Sequence, residues 1–275
     1  HRMKAVLYVF AYAGLTGGTH LSIVKEIRNW PELIHGTVTN DALIERSRSK
    51  AASHFLIDKS MGDVMLMVDH DISWEPGDLK YIADKATETE GIVAAIYSKR
   101  AFHQGMTFRI EEPCKFEMGE DRLIPATFVP TGFIAIHRKV IEYVTRDMKP
   151  VIQGFYPMFL PMVVETKHGL EHLSEDWAFC YRAKEPIHIA AKIKLQHEGT
   201  YQYRILDSLT EPPLDSNISI EITHNSAKVV QGEHIRNIRE AIGADAPIAR
   251  FSSSYNGASK TTEVRTGVSV VRSSK

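Results

Sequence analysis

Five consecutive apolar residues, Val64 to Val68, stand between acidic ones in the stretch D-V-M-L-M-V-D-H-D-I-S-W-E-P. A strand with one face in water alternates apolar and polar side chains, whereas this run is apolar on both faces and needs cover on both. The requirement points to the centre of a layered α/β sheet. Similar patterns recur at Ala5 to Phe10 and in G-I-V-A-A-I-Y-S from Gly91, with helical patterns between them. The turn A-G-L-T-G-G-T-H leads into a helix on which Leu21, Val24 and Ile27 recur at helical spacing. Leu33 to Thr39 reads as a second strand. Asn40 or Asp41 is suited to cap the next helix, with Ile44, Ala51 and Phe55 on its buried face, and Asp78 to Thr87 reads as a further helix.

From Met106 to Ile136 the texture changes to short β-like pieces broken by Pro113, Gly119, Pro125, Pro130 and Gly132, followed by the helical H-R-K-V-I-E-Y-V-T-R-D-M. Ser174 is placed to cap a helix E-D-W-A-F-C-Y-R-A-K-E, and I-H-I-A-A-K-I-K-L-Q-H-E-G reads as a strand that delivers its end to a site. The expected division is a catalytic domain over 1–205, with halves of about 1–100 and 101–205, and a C-terminal extension over 206–275. In that extension G-E-H-I-R-N-I-R-E-A-I-G-A reads as a single helix, and the Ser/Thr-rich end is assigned no chemistry.

With 275 residues, 43% of them hydrophobic, the chain can bury a substantial core. A formal net charge of -1 gives no overall bias toward nucleic acid or an anionic membrane. Two cysteines, Cys114 and Cys180, are too few for a disulfide framework and fit a reducing, cytoplasmic setting. The basic start followed by A-V-L-Y-V-F-A-Y-A-G has the outline of a secretory signal, but its β-branched and aromatic mixture reads better as a first strand. No run reaches the roughly 20 apolar residues of a membrane span.

Ligands of open α/β sheets bind beyond the carboxyl ends of the strands, which is where Asp69, His70 and Asp71 fall. Two carboxylates one residue apart at a bend supply hard oxygen donors for Mg²⁺ or Mn²⁺. A solvated acidic turn is the ordinary alternative. The spacing in A-Y-A-G-L-T-G-G-T-H matches neither the dinucleotide-binding nor the P-loop pattern, and H-E-x-x-H is absent. His168 and His172 in K-H-G-L-E-H are four apart, but Gly169 between them weakens a helix there and no third ligand stands out. The aromatic and methionine-rich G-F-Y-P-M-F-L-P-M-V-V reads either as an acceptor-site wall or as a packed loop.

The stretch I-E-R-S-R-S-K-A-A-S-H-F-L-I-D-K-S-M-G-D-V-M-L-M-V-D-H-D-I-S-W-E-P-G-D-L-K-Y-I resembles the nucleotide-binding half of a GT-A-fold glycosyltransferase with its D-x-D motif, of the inverting, family-two-like kind. The likeness runs over about residues 4–205. It implies an α/β, Rossmann-like mixed central sheet flanked by helices, and a divalent ion, Mn²⁺ or Mg²⁺, bridging the phosphates of a UDP- or GDP-type sugar donor. By this resemblance Asp71 is the direct metal ligand, Asp69 reaches the ribose or the metal through water, and His70 is a spacer that packs or faces the sugar. V-P-T-G-F-I-A-I-H resembles the acceptor-side segment, where Thr131 and Gly132 let backbone approach the donor sugar, although a plain turn before a strand fits Gly132 equally. S-E-D-W-A-F-C resembles the segment that supplies the catalytic base, so Asp176 takes that role with Glu175 as understudy; an acid at a helix start also suits the dipole. A base is needed because the attacking hydroxyl must lose its proton. I-K-L-Q-H-E-G-T-Y resembles the segment carrying a metal-binding histidine, His197. Ala11, Tyr12 and Gly14 would line the nucleoside, and Arg46 either approaches the nucleotide or is a solvated helix arginine.

The reading is thus a metal-dependent glycosyltransferase moving a sugar from a nucleoside diphosphate to an acceptor hydroxyl. Its acceptor is open among glycan, protein, lipid, small molecule and modified nucleic acid, and a homo-oligomer is also left open. The rivals are a sugar-phosphate nucleotidyltransferase and a non-catalytic nucleotide-sugar or carbohydrate-binding protein.

Overall fold

The computed structural model describes residues 4–12, 14–39, 41–98, 107–166, 169–184 and 186–199, together with the backbone pairing of strands at 202–204, 219–223 and 226–230. In chain order the first half runs β1 (Ala5–Ala11), α1 (Gly17–Asn29), β2 (Ile34–Thr39), α2 (Ile44–Ile57), β3 (Val64–Asp69), β4 (Ile72–Ser73), α3 (Asp78–Thr89) and β5 (Ile92–Ala94). There follow β6 (Cys114–Glu117), β7 (Leu123–Pro125), β8 (Phe133–His137), α4 (Arg138–Thr145), β9 (Met162–Thr166), β10 (Gly169–Leu173) and α5 (Glu175–Ala183). The last described strands are β11 (Ile187–Ala190), β12 (Gln196–Glu198), β13 (Gln202–Arg204), β14 (Ser219–Thr223) and β15 (Ser226–Val230).

Seven strands form the central sheet in the order β2-β1-β3-β8-β5-β11-β7. The pairs β1–β2, β1–β3 and β5–β11 are parallel, while β8 runs antiparallel to both its neighbours and β7 antiparallel to β11. This is the expected α/β class, a Rossmann-like mixed sheet flanked by helices. Val64, Met65, Leu66, Met67 and Val68 all have no exposed surface. Met65 and Met67 share one apolar cluster with Phe55 of α2, Ile141 of α4 and Phe179 of α5, whereas Val64, Leu66 and Val68 join Leu79, Ile82 and Ala86 of α3 on the other face. Cover on both faces is what the unbroken apolar run requires.

Helix α1 departs from its sequence pattern. Leu21 is 52% exposed, and the side turned inward carries Thr19, Ser22 and Glu26. The Thr19 hydroxyl donates to the Ile72 carbonyl (2.8 Å), and the Ser22 hydroxyl donates to the Trp74 carbonyl (2.8 Å). Glu26 accepts from Trp74 Nε1 (3.1 Å) and from the Gly77 amide (3.0 Å). Long-range hydrogen bonds, invisible to periodicity, thus dock α1 on the segment that follows the acidic triplet. Asp41 lies ahead of α2, its carboxylate accepting from the Leu43 amide (3.2 Å), and the helix N-cap is Leu43. The stretch read as a single strand from Ile187 is divided: β11 closes the main sheet, and β12 joins β4 and β13 in a separate one.

Beyond residue 205, β14 pairs antiparallel with β6 and with β15, strands not included in the sequence reading although S-I-E-I-T alternates polar and apolar residues. The helix read in 232–244 and His168 lie outside the described residues. Among the described residues no helix is long and apolar enough to cross a membrane.

Candidate active site

Backbone bonds fix the acidic triplet from several sides. The Asp69 amide donates to the Gly132 carbonyl (3.0 Å) and the His70 amide to the Phe10 carbonyl (3.1 Å). The Thr16 amide donates to the His70 carbonyl (3.0 Å) and the Glu198 amide to the Asp71 carbonyl (2.7 Å). The ends of β1, β8 and β12 therefore hold the end of β3, and a cleft of about 480 Å³ opens there. A larger cavity of about 630 Å³ lies elsewhere, against Ile124, Ala126, Phe128, Cys180, Tyr181 and Ile187. Its walls are mainly apolar, so the acidic cleft is where reactive groups converge.

Of the residues singled out from sequence, Ala11, Tyr12, Asp69, His70, Asp71, Thr131, Glu175, Asp176 and His197 all line this cleft. Three do not. Gly14 lies outside it, with a backbone φ of +139° and open space around it. Arg46 does not line the cleft but pairs with Asp41 (2.6 Å), which does. Gly132 stands behind the wall: a Cβ there would meet the Tyr97 hydroxyl at 2.4 Å and Asp69 Oδ2 at 2.8 Å. Its lack of a side chain makes room for those two groups, with the Gly132 amide donating to the Tyr97 hydroxyl (3.1 Å).

Asp71 is buried, 2% exposed, and its Oδ2 lies 3.4 Å from His197 Nε2 and 4.0 Å from His70 Nε2. His197 Nδ1 is 2.8 Å from the Ser98 carbonyl oxygen, an acceptor, so this nitrogen carries the proton and donates. Nε2 faces Asp71, and the carbonyl acts as the orienting partner typical of a ligating histidine. The Tyr97 ring packs edge-on against the imidazole, with centroids 5.2 Å apart.

Arg48, like Arg46, lies on the helix ahead of the acidic triplet, and the sequence reading gave it no role in the site. It is 2% exposed; Nη2 donates to Asp69 Oδ1 (2.6 Å) and Nη1 to Glu175 Oε1 (2.9 Å). Burial pulls its pKa down, but Asp69 and Glu175 outweigh that, and the net shift is upward. Glu175 is shifted upward by burial, with Arg48 pulling the other way. Asp176 Oδ1 accepts from the Ser174 hydroxyl and from the Trp177 amide (2.8 Å). Ser174 is the N-cap residue of α5 as expected, but its hydroxyl serves Asp176 instead of a helix amide. Arg48 sits in the small-residue run S-R-S-K-A-A-S, where the Ser49 and Ser53 hydroxyls accept the Phe159 and Tyr156 amides and bring the chain close.

The first turn of α1 faces a carboxylate of the protein itself. Glu198 Oε2 lies 3.4 Å from the Gly18 amide, and a Cβ on Gly18 would collide with Glu198 Oε1. Among the described residues no group of three His, Cys, Asp or Glu side chains is arranged to enclose a metal ion.

No protein-family model matches the chain. No curated protein matches it significantly. Among solved structures, A197 from STIV superposes with a TM-score of 0.51 at 16% identity, over 78% of this chain and 100% of that one. A structure of GalNAc-T7 with UDP, GalNAc and Mn²⁺ gives 0.41 at 9% identity, over 71% of this chain and 44% of the other. A protein assigned as a glucose-1-phosphate thymidylyltransferase from Bacillus anthracis, in complex with sucrose, gives 0.35 at 12% identity, over 55% and 78%. At 16% identity the first likeness bears on the fold alone.

Proposed function

We propose that this cleft binds a nucleoside diphosphate sugar together with a divalent cation and transfers the sugar to an acceptor hydroxyl with inversion. The observation that carries the reading is the donor pair Asp71–His197 in a cleft lined by five carboxylates: Asp41 is paired with Arg46 and Lys50, while Asp69, Asp71, Glu175 and Asp176 stand with a single lining guanidinium, Arg48. A diphosphate does not enter such a field without added positive charge. The donors suit a hard or borderline cation. Two cis ligands of an octahedral ion, each about 2.1 Å from it, stand about 3 Å apart, and Asp71 Oδ2 and His197 Nε2 are 3.4 Å apart. With these two donors among the described residues, phosphate oxygens and water would complete the coordination. When bound, the ion would neutralise charge that develops on the leaving diphosphate.

The chain's own residues supply the rest. Tyr12, exposed at the end of β1, offers a stacking face for the base, and Asp69 is oriented by Arg48 toward the ribose side or toward a metal-bound water. Thr131, 1% exposed, walls the sugar site. The acceptor oxygen attacks the anomeric carbon as the bond to the diphosphate breaks, and its proton passes to Asp176. Oδ1 of Asp176 already accepts two hydrogen bonds, which leaves its other oxygen for the proton. One displacement inverts the anomeric centre. Glu198, set against the first turn of α1, weighs against the nucleotidyltransferase alternative, which needs that glycine-rich turn for phosphates.

The test is release of nucleoside diphosphate from UDP-, GDP- and other nucleotide sugars with Mn²⁺, with Mg²⁺ and with EDTA. Release from one donor, abolished by EDTA and by Asp71→Ala, is expected. Tight donor binding without transfer or hydrolysis would move the reading to a non-catalytic binding protein. Turnover surviving in Asp176→Asn would remove Asp176 as the base.

A further inference from the structure

We propose that Arg48 is a positioning residue that ties the donor side of the cleft to its acceptor side and, by holding Glu175, leaves Asp176 as the carboxylate open to the acceptor. The inference rests on the transfer reading above and deepens it. Three elements far apart in sequence meet at this guanidinium: α2 contributes Arg48, the end of β3 contributes Asp69, and the first residue of α5 contributes Glu175. The two bonds leave through different nitrogens of one planar group, so the angle between the carboxylates is set by the fork itself. Phe10 backs the guanidinium, its ring centroid 5.6 Å from Cζ.

The bond to Glu175 separates the roles of two adjacent acids. Glu175 spends an oxygen on Arg48, whereas Asp176 is held by the Ser174 hydroxyl and the Trp177 amide and makes no ion pair with the arginine among the described residues. The first turn of α5 is thereby anchored at the depth of the metal-side carboxylate, which fixes where Asp176 meets an acceptor. Lysine at this position keeps a point charge and loses the fork. It leaves Asp71 and His197, the donor-side ligands, untouched.

The experiment compares wild type, Arg48→Lys, Glu175→Gln and the double variant. UDP and GDP binding in the presence of Mn²⁺ is measured by calorimetry, and donor turnover at saturating donor. Arg48→Lys, which loosens Asp69 as well as Glu175, is expected to lose at least about 10-fold more in turnover than in nucleotide affinity, with the double variant no more than about 3-fold below the worse single one in turnover, because paired residues act as a unit. Retained turnover in Arg48→Lys overturns the proposal, as do equal losses of affinity and turnover or single losses that multiply in the double variant. Wild type that neither binds nucleotide nor turns over donor refutes the transfer reading instead. The pair is then judged by thermal melting alone: Arg48→Gln should lower the melting temperature more than Arg48→Gln/Glu175→Gln does, and the reverse order overturns the tie.

Discussion

Gly132→Ala is a one-carbon perturbation whose effect can be worked from distances. The added Cβ would lie 2.4 Å from the Tyr97 hydroxyl oxygen, 2.7 Å from Tyr97 Cζ and 2.8 Å from Asp69 Oδ2. Relaxed carbon-to-oxygen contacts begin near 3.3 Å and carbon-to-carbon contacts near 3.5 Å, so relief takes about 0.5–0.9 Å of movement. Neither obstacle gives easily. The Tyr97 side chain is a rigid ring, 8% exposed and wedged against His197, and Asp69 is held by Arg48. Overpacking of this kind costs about 1–3 kcal/mol. Because the strain falls on Asp69, a weakening of nucleotide binding of about 5- to 150-fold would accompany it if all of it were expressed there. Chemical denaturation and calorimetry with UDP or GDP and Mn²⁺ measure the two parts. Gly36→Ala is the control: a Cβ on Gly36 meets nothing within 4 Å, so the same substitution should leave stability and binding near wild type. A Gly132→Ala protein that melts and binds like Gly36→Ala would refute the close-packing argument and Asp69's place in it.

Two further outcomes concern stability. Glu26 is fully buried, with Oε1 lacking a partner, and burial raises its pKa above the ordinary 4.5. Between that value and the raised one the unfolded chain has already lost a proton that the folded chain keeps, so folding stability falls as pH rises through the window. Glu26→Gln lacks this slope, and urea midpoints of the two proteins taken from about pH 4 to about pH 8 should diverge as pH rises; parallel curves would remove Glu26 as the cause. Arg138 donates to the Gly62 carbonyl (2.5 Å), the Phe55 carbonyl (2.6 Å) and the Asp58 carbonyl (3.3 Å), closing the end of α2. Arg138→Ala should cost about 3 kcal/mol by denaturant titration, since charge-assisted bonds are lost and carbonyls are left buried; a loss under about 1 kcal/mol would mean that water replaces the guanidinium.

What the sequence made legible follows from how local each cause is. The strands from Ala5 and Val64 could be read because burial on both faces writes itself as a continuous apolar run. Seven of the lining residues lie in two short stretches, Ala11–Tyr12 and Asp69–Asp71, and one acidic pair, Glu175–Asp176, at strand ends or a helix start. The inward side of α1 could not be read, since Thr19, Ser22 and Glu26 are buried only because β4 and Trp74 offer partners about fifty residues away. The choice between Arg46 and Arg48 was equally closed: two residues on a helix differ by about 200° in direction, and only the packed position of α2 says which faces the cleft. The strands at 219–223 and 226–230 form a hairpin whose first strand alternates as S-I-E-I-T, so a local pattern was present there, while its pairing with β6 about a hundred residues earlier was not legible.

The apolarity of β3 and the acidity of its end belong to a single physical arrangement. A strand with no exposed residue from Val64 to Val68 cannot slide or tilt without opening apolar surface on both sides, so the Asp69 and Asp71 carboxylates are fixed where backbone bonds from β1, β8 and β12 also converge. Holding four carboxylates near one guanidinium costs folding free energy while the cleft lacks a cation, and that repulsion is relieved when positive charge enters. A metal and nucleotide that bind only the folded protein must then raise its stability by RT ln(1 + [L]/Kd), about 2.7 kcal/mol at a hundredfold excess over Kd. The gain should shrink in Asp71→Ala even at matched nucleotide concentration, because the variant has both lost a ligand and already lost part of the repulsion. In Arg48→Gln the ligand-free protein should be less stable, with the carboxylates left to repel unshielded. Opposite changes in ligand-free stability for these two substitutions, Asp71→Ala relieved and Arg48→Gln burdened, are what an electrostatically loaded site requires and what a merely solvated acidic turn would not produce.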